Sequence, residues 1–332
     1  MIEVEHLVKK FGDFTAVNDL SFSVARGQVM GFLGPNGAGK STTMKMITGF
    51  LRPSSGTARI MGKDICDNML AAQRHFGYLP EGAPAWPDMT PRAFLQFITQ
   101  IRGLDKAAAR AAEARAIEMT ELHGVLDQPI DTLSKGYRRR VGLAQAIVHD
   151  PDVLVMDEPT DGLDPNQKFQ VRRAITDMAR DKAIIISTHI LEEVDAVCSA
   201  AMIIDRGQIV AEGTPSALAA RSRYSGSVTL TLARQELPAA RALLKKVNHQ
   251  SAELVTRGDE STLHLFAADG TEPGALLADM RAAIGAAGLS PRALALENGR
   301  LDDVFGALTG KARPVAERFD AVFEAQDKGA AS

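Results

Sequence analysis

Gly34-Pro35-Asn36-Gly37-Ala38-Gly39-Lys40-Ser41 is the stretch that decides the fold of this 332-residue chain. It matches the phosphate-binding pattern G-x-x-x-x-G-K-[ST] in full. An apolar run at 29–33 precedes it, and residues 42–47, Thr-Thr-Met-Lys-Met-Ile, can start a helix. Backbone N–H groups of such a loop converge on phosphate oxygens, and the helix N-terminus adds its positive dipole end. The sequence therefore predicts an α/β domain that binds a nucleotide through this loop.

Two side chains of the loop are expected to contact the phosphates and their metal. Lys40 supplies a point charge, and the Ser41 hydroxyl is a magnesium ligand in loops of this pattern. A chance glycine turn is the alternative, but a strand before the loop and a helix after it are the context that a working loop needs.

The composition narrows the classes of partner. Net charge is −3, with 45% hydrophobic and 24% charged residues, as in an ordinary globular protein, so no basic footprint for nucleic acid is visible. Cys66 and Cys198 are too few and too far apart for a metal cluster, and a reducing cytosol fits them best. We find no apolar run of about 18 residues and no signal-peptide pattern. Any membrane role is expected to come through a partner.

The periodicities predict two domains and a tail. Residues 1–220 read as an α/β domain with a helical insertion at about 88–150, including a helix at 107–122. Residues 226–310 show the order βαββαβα, which predicts a smaller α+β domain of the ferredoxin-like type. Residues 311–332 form the tail, where the alternatives are a short docking helix and a frayed end. Helical spacing in this tail is shown by Val315, Phe319, Val322 and Phe323.

Two carboxylates follow a predicted buried strand. Residues 153–156, Val-Leu-Val-Met, are continuously apolar, as in a parallel strand covered on both faces, and Asp157 and Glu158 come next. Ligands bind at the carboxyl ends of strands in open parallel sheets. We expect Asp157 to hold Mg²⁺, through a metal-bound water, and Glu158 to polarise the attacking water as general base. A solvated acidic strand end is the alternative.

Four features of the sequence together resemble the ATP-binding subunits of ABC transporters. They are the phosphate loop, the 153–158 segment, His189 and the stretch Leu133-Ser134-Lys135-Gly136-Tyr137. The resemblance covers roughly residues 1–220 and implies the P-loop NTPase fold of the ABC ATPase type. The family signature is usually Leu-Ser-Gly-Gly-Gln, so Lys135 and Tyr137 depart from it. The resemblance implies that Ser134 and Gly136 contact the γ-phosphate of ATP held by a second copy of the subunit. Alone, Ser134 reads as a helix cap.

The resemblance assigns four further positions. Asp164 matches the D-loop that links the two nucleotide sites, and it also reads as a cap before Pro165. His189 matches the switch histidine that hydrogen-bonds the γ-phosphate. Phe11 stands where an aromatic ring stacks on adenine, although core packing would explain it as well. Glu81 stands where the Q-loop usually has glutamine, and a carboxylate can also ligate Mg²⁺.

The expected site residues fall into three groups. Catalysis is assigned to Lys40, Glu158 and His189. Magnesium binding is assigned to Ser41, Glu81 and Asp157. Nucleotide binding is assigned to Phe11, Gly34, Pro35, Asn36, Gly37, Ala38, Gly39, Lys40, Ser41, Thr42, Glu81, Ser134, Gly136 and Asp164.

Three segments narrow the resemblance to ATPases of ABC-2-type exporters, closest to the gliding-motility-associated branch. They are 133–137, the 78–81 loop Tyr-Leu-Pro-Glu, and 301–310 with Leu-Asp-Asp-Val-Phe and Leu-Thr-Gly. This resemblance implies ATP and Mg²⁺ as cofactors and ATP hydrolysis that drives a separate membrane permease, for export. It also implies a second copy as partner, no nucleic acid, and peripheral placement at the cytoplasmic face of the inner membrane.

Two regions carry no catalytic constellation. Residues 226–310 are interpreted as an accessory module for dimerisation or regulation. Trp86, the only tryptophan, lies in a predicted exposed loop, where it either anchors a partner or packs on its own loop. The alternatives for the whole chain are a soluble ABC-type ATPase and a regulatory nucleotide sensor, neither coupled to transport.

Overall fold

The computed structural model describes residues 1–83, 85–310 and 317–319. The chain divides into two compact units, Met1–Pro215 and Ser216–Ser332. The tail residues with helical spacing, for which a docking helix and a frayed end were the alternatives, lie outside the described residues except for Phe319, which is buried in the core of the second unit. Within the described ranges, no helix is long and apolar enough to cross a bilayer.

The first unit alternates strands and helices. Its strands are β1 (Ile2–Phe11), β2 (Phe14–Val24), β3 (Val29–Leu33), β4 (Ser55–Ile60), β5 (Lys63–Asp64), β6 (Phe76–Leu79), β7 (Val153–Asp157), β8 (Ala183–Thr188), β9 (Ala200–Asp205) and β10 (Gln208–Gly213). Its helices are α1 (Lys40–Ile47), α2 (Met69–Gln73), α3 (Pro91–Ile101), α4 (Lys106–Thr120), α5 (Lys135–Ile147), α6 (Pro165–Met178) and α7 (Leu191–Val197), and α8 (Pro215–Ala219) spans the unit boundary.

A six-stranded sheet in the order β10-β9-β3-β8-β7-β6 forms the centre of this unit. Its strands run parallel except for β10, which pairs antiparallel with β9. Every residue of β3, β7 and β8 is buried, because helices cover one face and an antiparallel sheet, β2-β1-β4-β5, lies across the other. The predicted buried strand at 153–156 is confirmed as part of β7, and the carboxyl ends of β7 and its parallel neighbour β8 share one edge.

The predicted helical insertion at about 88–150 is confirmed as α3, α4 and α5. Each helix begins at a side-chain cap, since Thr90, Asp105 and Ser134 accept hydrogen bonds from backbone N–H groups of the first turn. The helix predicted at 107–122 ends earlier, at Thr120, because Glu121 takes a left-handed conformation with φ of 51°.

The second unit is built on an antiparallel sheet. Its strands are β11 (Val228–Ala233), β12 (Ser251–Arg257), β13 (Glu260–Phe266), β14 (Ala293–Leu296) and β15 (Glu317–Arg318), in the order β14-β11-β13-β12-β15. Its helices are α9 (Leu237–Leu244), α10 (Pro273–Ala287) and α11 (Leu301–Thr309). Val247 follows the end of α9 and is buried in the core with Leu243 and Leu244 of that helix.

Candidate functional site

Three motifs meet at one edge of the parallel sheet. The 34–41 loop follows β3, His189 follows β8, and Asp157 closes β7 with Glu158 next to it. In the strand register, Leu33 pairs with Thr188, and Asp157 pairs with Ser187. Because these strands are parallel neighbours, residues that are about 150 positions apart in sequence come together at their carboxyl ends.

Close backbone contacts fix the shape of the phosphate loop. Gly39 has φ of 106°, and a Cβ atom there would lie 2.6 Å from the carbonyl oxygen of Ala16. At Gly34 a Cβ atom would lie 2.5 Å from the carbonyl oxygen of Ile204. Gly37, with φ of 82°, has no neighbouring atom within 4 Å of its Cβ position, so this side of the loop is open. Backbone contacts therefore hold the loop at Gly34 and Gly39, while its surface at Gly37 is open, as binding of a phosphate requires.

Lys40 begins α1 and is only 6% exposed. Its Nζ donates to the carbonyl oxygens of Gly34, at 2.6 Å, and Pro35, at 3.2 Å. The ammonium therefore lies across the loop, where a phosphate can take over its N–H bonds. Ser41 and Thr42 lie half-buried in the first turn of α1, at the positive end of the helix dipole.

Glu158 and His189 are hydrogen-bonded, with 2.7 Å between Oε2 of the glutamate and Nδ1 of the histidine. Burial raises the pKa of Glu158, and the neighbouring His189 and Lys40 lower it in opposition. The positive charge of Lys40 therefore reaches Glu158 from the phosphate loop. A carboxylate with a raised pKa is a stronger base, which suits Glu158 to accept a proton from water.

The hydrogen bonding of Asp157 indicates that this residue suits a magnesium site. It is fully buried, its Oδ1 accepts from the Ser187 hydroxyl, and its Oδ2 has no hydrogen-bond partner among the described residues. An unpaired buried carboxylate oxygen calls for a partner such as a metal-bound water. The described part of the chain contains no cluster of three or more candidate protein ligands. Mg²⁺ normally takes only one or two carboxylates besides waters and phosphates, so Asp157 and Ser41 suit it.

A second cluster joins the N-terminus of α5 to the loop that follows Glu158. Lys135 Nζ lies 2.7 Å from Oδ2 of Asp161. A Cβ atom on Gly136 would lie 2.4 Å from Oε1 of Gln167, so only glycine fits there without a shift of that side chain. Ser134 caps α5 by accepting from the N–H of Tyr137 at 3.3 Å.

Asp164 caps α6, and this interpretation is confirmed by its geometry. Its Oδ1 accepts from the N–H of Gln167 at 2.9 Å, while the Gln167 side chain accepts from the Asp164 N–H at 3.3 Å. This reciprocal pair is a capping box. The residues between Glu158 and α6 are therefore held at both ends.

Phe11 and Glu81 lie at the periphery of the site. Phe11 ends β1 and is 50% exposed, with Lys9 Nζ 5.1 Å from its ring centroid, so core packing does not explain it. An exposed ring face remains available for stacking. Glu81 is exposed just after β6, and its charge helps to raise the pKa of the buried Tyr78, after burial and the charge of Asp157. The charges of Glu81 and Asp157 therefore both influence the Tyr78 side chain near this edge of the sheet.

Sequence reasoning missed Ser187 and Arg139. Ser187 Oγ accepts from the N–H of Glu158 at 3.1 Å and donates to Asp157. Arg139 is 5% exposed and donates to backbone carbonyls around Glu158. Arg139 stands three residues after Gly136 and four before Leu143, on the buried side of α5. An arginine on the buried side of an amphipathic helix was the available signal.

Comparison with known proteins gives consistent matches. A family model described as ABC transporter matches residues 17–161. The Nod factor export ATP-binding protein I of Ralstonia nicotianae is 36% identical over 312 residues, which are 94% of each chain. A solved ATP-binding subunit of an ABC transporter has 28% identity and a TM-score of 0.62, covering 66% of this chain and 91% of that one. A dimeric bacterial ABC transporter cassette has 20% identity and a TM-score of 0.61, covering 65% of this chain and 99% of the other, and shows the same fold.

Proposed function

The chain belongs to the family of ABC transporter ATP-binding subunits and is an ATPase, and from this premise we propose that two copies enclose ATP between them to drive a membrane permease. The contact between Glu158 and His189, within the electrostatic reach of Lys40, carries the proposal. It joins the group that would activate water to the groups that would hold the γ-phosphate.

In this mechanism the 34–41 loop and Lys40 bind the phosphates of ATP. Ser41 and Asp157, with Glu81 from the neighbouring loop, would hold Mg²⁺. When bound, this cation would offset negative charge on the phosphates. Thr42 and the loop N–H groups lie at the start of α1, where the helix dipole favours an anion. Phe11 stacks its exposed face on the adenine.

Glu158 acts as general base on the attacking water, and His189 hydrogen-bonds the γ-phosphate. His189 contacts Glu158 through Nδ1, which leaves its other ring nitrogen, Nε2, to bind the γ-phosphate. One imidazole then joins the phosphate to the carboxylate that accepts a proton from water. Burial keeps the pKa of Glu158 above its usual range, which strengthens it as a base.

Closure of the dimer supplies the remaining phosphate ligands. Ser134 and Gly136 at the N-terminus of α5 contact the γ-phosphate bound by the partner, and Asp164 lies in the loop that connects the two sites. Ser134 is exposed at the start of α5, where the positive end of the helix dipole is suited to an anion. ATP then stabilises the dimer because each bound nucleotide has ligands from both copies.

An apolar groove in the first unit is the surface where we place the permease. The groove has a volume of about 1160 Å³ and lies between α2, α3 and the segment around β6. Its exposed apolar side chains include Phe50, Leu70, Trp86 and Ile101. Trp86 packs edge-on against Phe94 and Phe97, so its ring is fixed in place. A groove of this kind accepts an apolar helix face from a partner.

We assign the chain to the ABC-2-type exporter class, in or near the gliding-motility-associated branch. The relative from Ralstonia nicotianae matches this chain over nearly the whole length of both proteins. Its description as an export ATP-binding protein supports export. The expected location is the cytoplasmic face of the inner membrane, held there by the permease. Soluble ABC-type ATPases and nucleotide sensors are the alternatives, and neither would respond to a permease.

We propose that residues 226–310 form a ferredoxin-like module for dimerisation or regulation, and 1–220 the nucleotide-binding domain. The order β14-β11-β13-β12, antiparallel throughout, with α9 and α10 joining strands, supports this fold. The second unit supplies none of the residues assigned to the nucleotide site.

Steady-state ATP hydrolysis, with and without the permease that copurifies with the chain, tests the proposal. We expect Mg²⁺-dependent hydrolysis that rises cooperatively with ATP and is stimulated when the permease is reconstituted in proteoliposomes. Hydrolysis that the permease leaves unchanged would favour a soluble ATPase. Tight ATP binding without hydrolysis would favour a sensor.

A further inference from the structure

The side chain of Arg139 links α5 to both loops beside the proposed magnesium site. Its guanidinium donates to the carbonyl oxygens of Pro80, at 2.9 Å, and Pro159, at 3.3 Å. It also donates to the carbonyl oxygens of Asp157 and Glu158. Four backbone acceptors from two separate segments therefore share one buried side chain.

Burial of a charge in this place needs a reason. Arg139 is 5% exposed, and burial lowers its pKa while the carboxylates of Asp157, Asp161 and Glu158 oppose that shift. The guanidinium stays charged at neutral pH, and its planar fork can satisfy several carbonyls at once. A lysine carries the same charge but no fork, so it cannot span the same set of acceptors.

Glu158 has a strained backbone at the point where Arg139 binds. Its φ is 53°, in the left-handed region that side chains other than glycine, asparagine and aspartate rarely adopt. Such a conformation persists only where the surroundings fix it. The N–H of Glu158 donates to Ser187, and the carbonyls on both sides of its Cα atom accept from Arg139. Arg139 and Ser187 thus hold both ends of the residue.

We propose that Arg139 is a positioning residue for hydrolysis, which holds Glu158 in its left-handed conformation so that the carboxylate points at the attacking water. The inference rests on the proposed function, because it takes Glu158 as the general base. Arg139 also lies on the helix whose first residues, Ser134 and Gly136, bind the partner's nucleotide in that function. When the N-terminus of α5 binds the ATP held by the partner copy, Arg139 on the same helix therefore orients Glu158, the general base for the ATP of its own copy.

Three variants test this role in the full-length chain. Arg139→Met removes all four hydrogen bonds, Arg139→Lys keeps the charge without the fork, and Arg138→Met is the control because Arg138 is exposed on the same helix. We expect Arg139→Met to lower kcat by roughly tenfold to a hundredfold, the effect of a misplaced catalytic group, while KM and Kd for ATP stay near the wild-type values. Arg139→Lys should fall between, and Arg138→Met should match the wild type.

Combining the Arg139 substitution with Glu158→Gln distinguishes a positioning role of Arg139 from a general loss of structure at the site. If Arg139 acts through Glu158, then Arg139→Lys should slow the residual turnover of Glu158→Gln by less than twofold, although it slows the wild type severalfold. Equal slowing in both backgrounds would overturn the inference, as would an unchanged kcat in Arg139→Lys or a parallel loss of ATP affinity. Should Arg139→Met lose its fold by circular dichroism, Arg139→Lys alone decides. Absence of wild-type hydrolysis would instead contradict the proposed function.

Discussion

His189 Nδ1 lies 2.7 Å from Oε2 of Glu158, across the carboxyl ends of the neighbouring strands β8 and β7. The side chain assigned to sense the γ-phosphate is thus in direct contact with the side chain assigned to activate water. A phosphate that binds the second ring nitrogen of His189 would therefore act on Glu158 through a single imidazole.

Loss of this histidine should change the pH dependence of hydrolysis. His189 lowers the pKa of Glu158 by a hydrogen bond and by charge, so His189→Ala should raise that pKa further. The base works when deprotonated, and activity falls as pH falls through its pKa. We therefore expect the acid limb of the kcat/KM profile to move to higher pH in His189→Ala.

The matched control is His123→Ala, since His123 pairs with Glu118 on the helical insertion, away from the sheet edge. Its profile should overlay that of the wild type. An acid limb in His189→Ala that stays in place, or moves to lower pH, would contradict the assigned coupling.

Lys40→Ala should weaken ATP binding. The variant removes a charged donor that lies across the phosphate loop, and such hydrogen bonds contribute about 2 kcal/mol, or roughly thirtyfold in Kd. Titration with a fluorescent ATP analogue measures the change. Lys45→Ala, an exposed position on the same helix, should leave Kd unchanged. Equal affinity of Lys40→Ala and the wild type would remove the loop from the site.

A charge in the apolar groove should block the permease without affecting the nucleotide. Ile101 is 64% exposed at the rim of the groove, so Ile101→Glu introduces a carboxylate there at little cost to the fold. We expect permease stimulation of the ATPase to be lost while basal hydrolysis is kept. Met119→Glu, on α4 outside the groove, should be stimulated normally. Full stimulation of Ile101→Glu would place the permease elsewhere.

Removal of the Lys135–Asp161 ion pair should have a small effect on stability. Both side chains are more than half exposed, so the pair contributes about 0.5 kcal/mol. The hydrogen bond from Lys135, with its charge, lowers the pKa of Asp161. A lowered carboxyl pKa stabilises the fold above the unfolded-state value and ceases to do so as pH falls through the folded-state value.

Urea unfolding of Lys135→Ala and the wild type tests the pair. The difference in free energy of unfolding should be small at neutral pH and should vanish in acid as Asp161 is protonated. Lys135→Arg, which keeps the charge, should match the wild type. A loss of several kcal/mol at neutral pH would show that Lys135 has a structural role beyond this pair.

Local patterns predicted the elements that carry the site, because each depends on neighbours in sequence. The glycine loop, the apolar run before Asp157, and the caps Ser134 and Asp164 all follow from spacing and side-chain type. The ends of elements were less predictable. The helix predicted at 107–122 ends at Thr120, because Glu121 takes a positive φ.

The contacts that orient the site could not be predicted, because they join residues far apart in sequence. Arg139 reaches Pro80 across 59 positions, and Lys135 reaches Asp161 across 26. Periodicity places Arg139 on the buried side of its helix but does not identify its acceptors. Only the packing of α5 against the ends of β6 and β7 does so.

The central claim is that two copies bind ATP jointly, and the mass of Glu158→Gln in the presence of Mg²⁺ and saturating ATP tests it most directly. The variant keeps the binding groups and loses the base, so light scattering on a sizing column should give twice the 35.5 kDa monomer. Glu158→Gln combined with Lys40→Ala should remain monomeric. A monomer for Glu158→Gln, with ATP shown to be bound, would contradict the account.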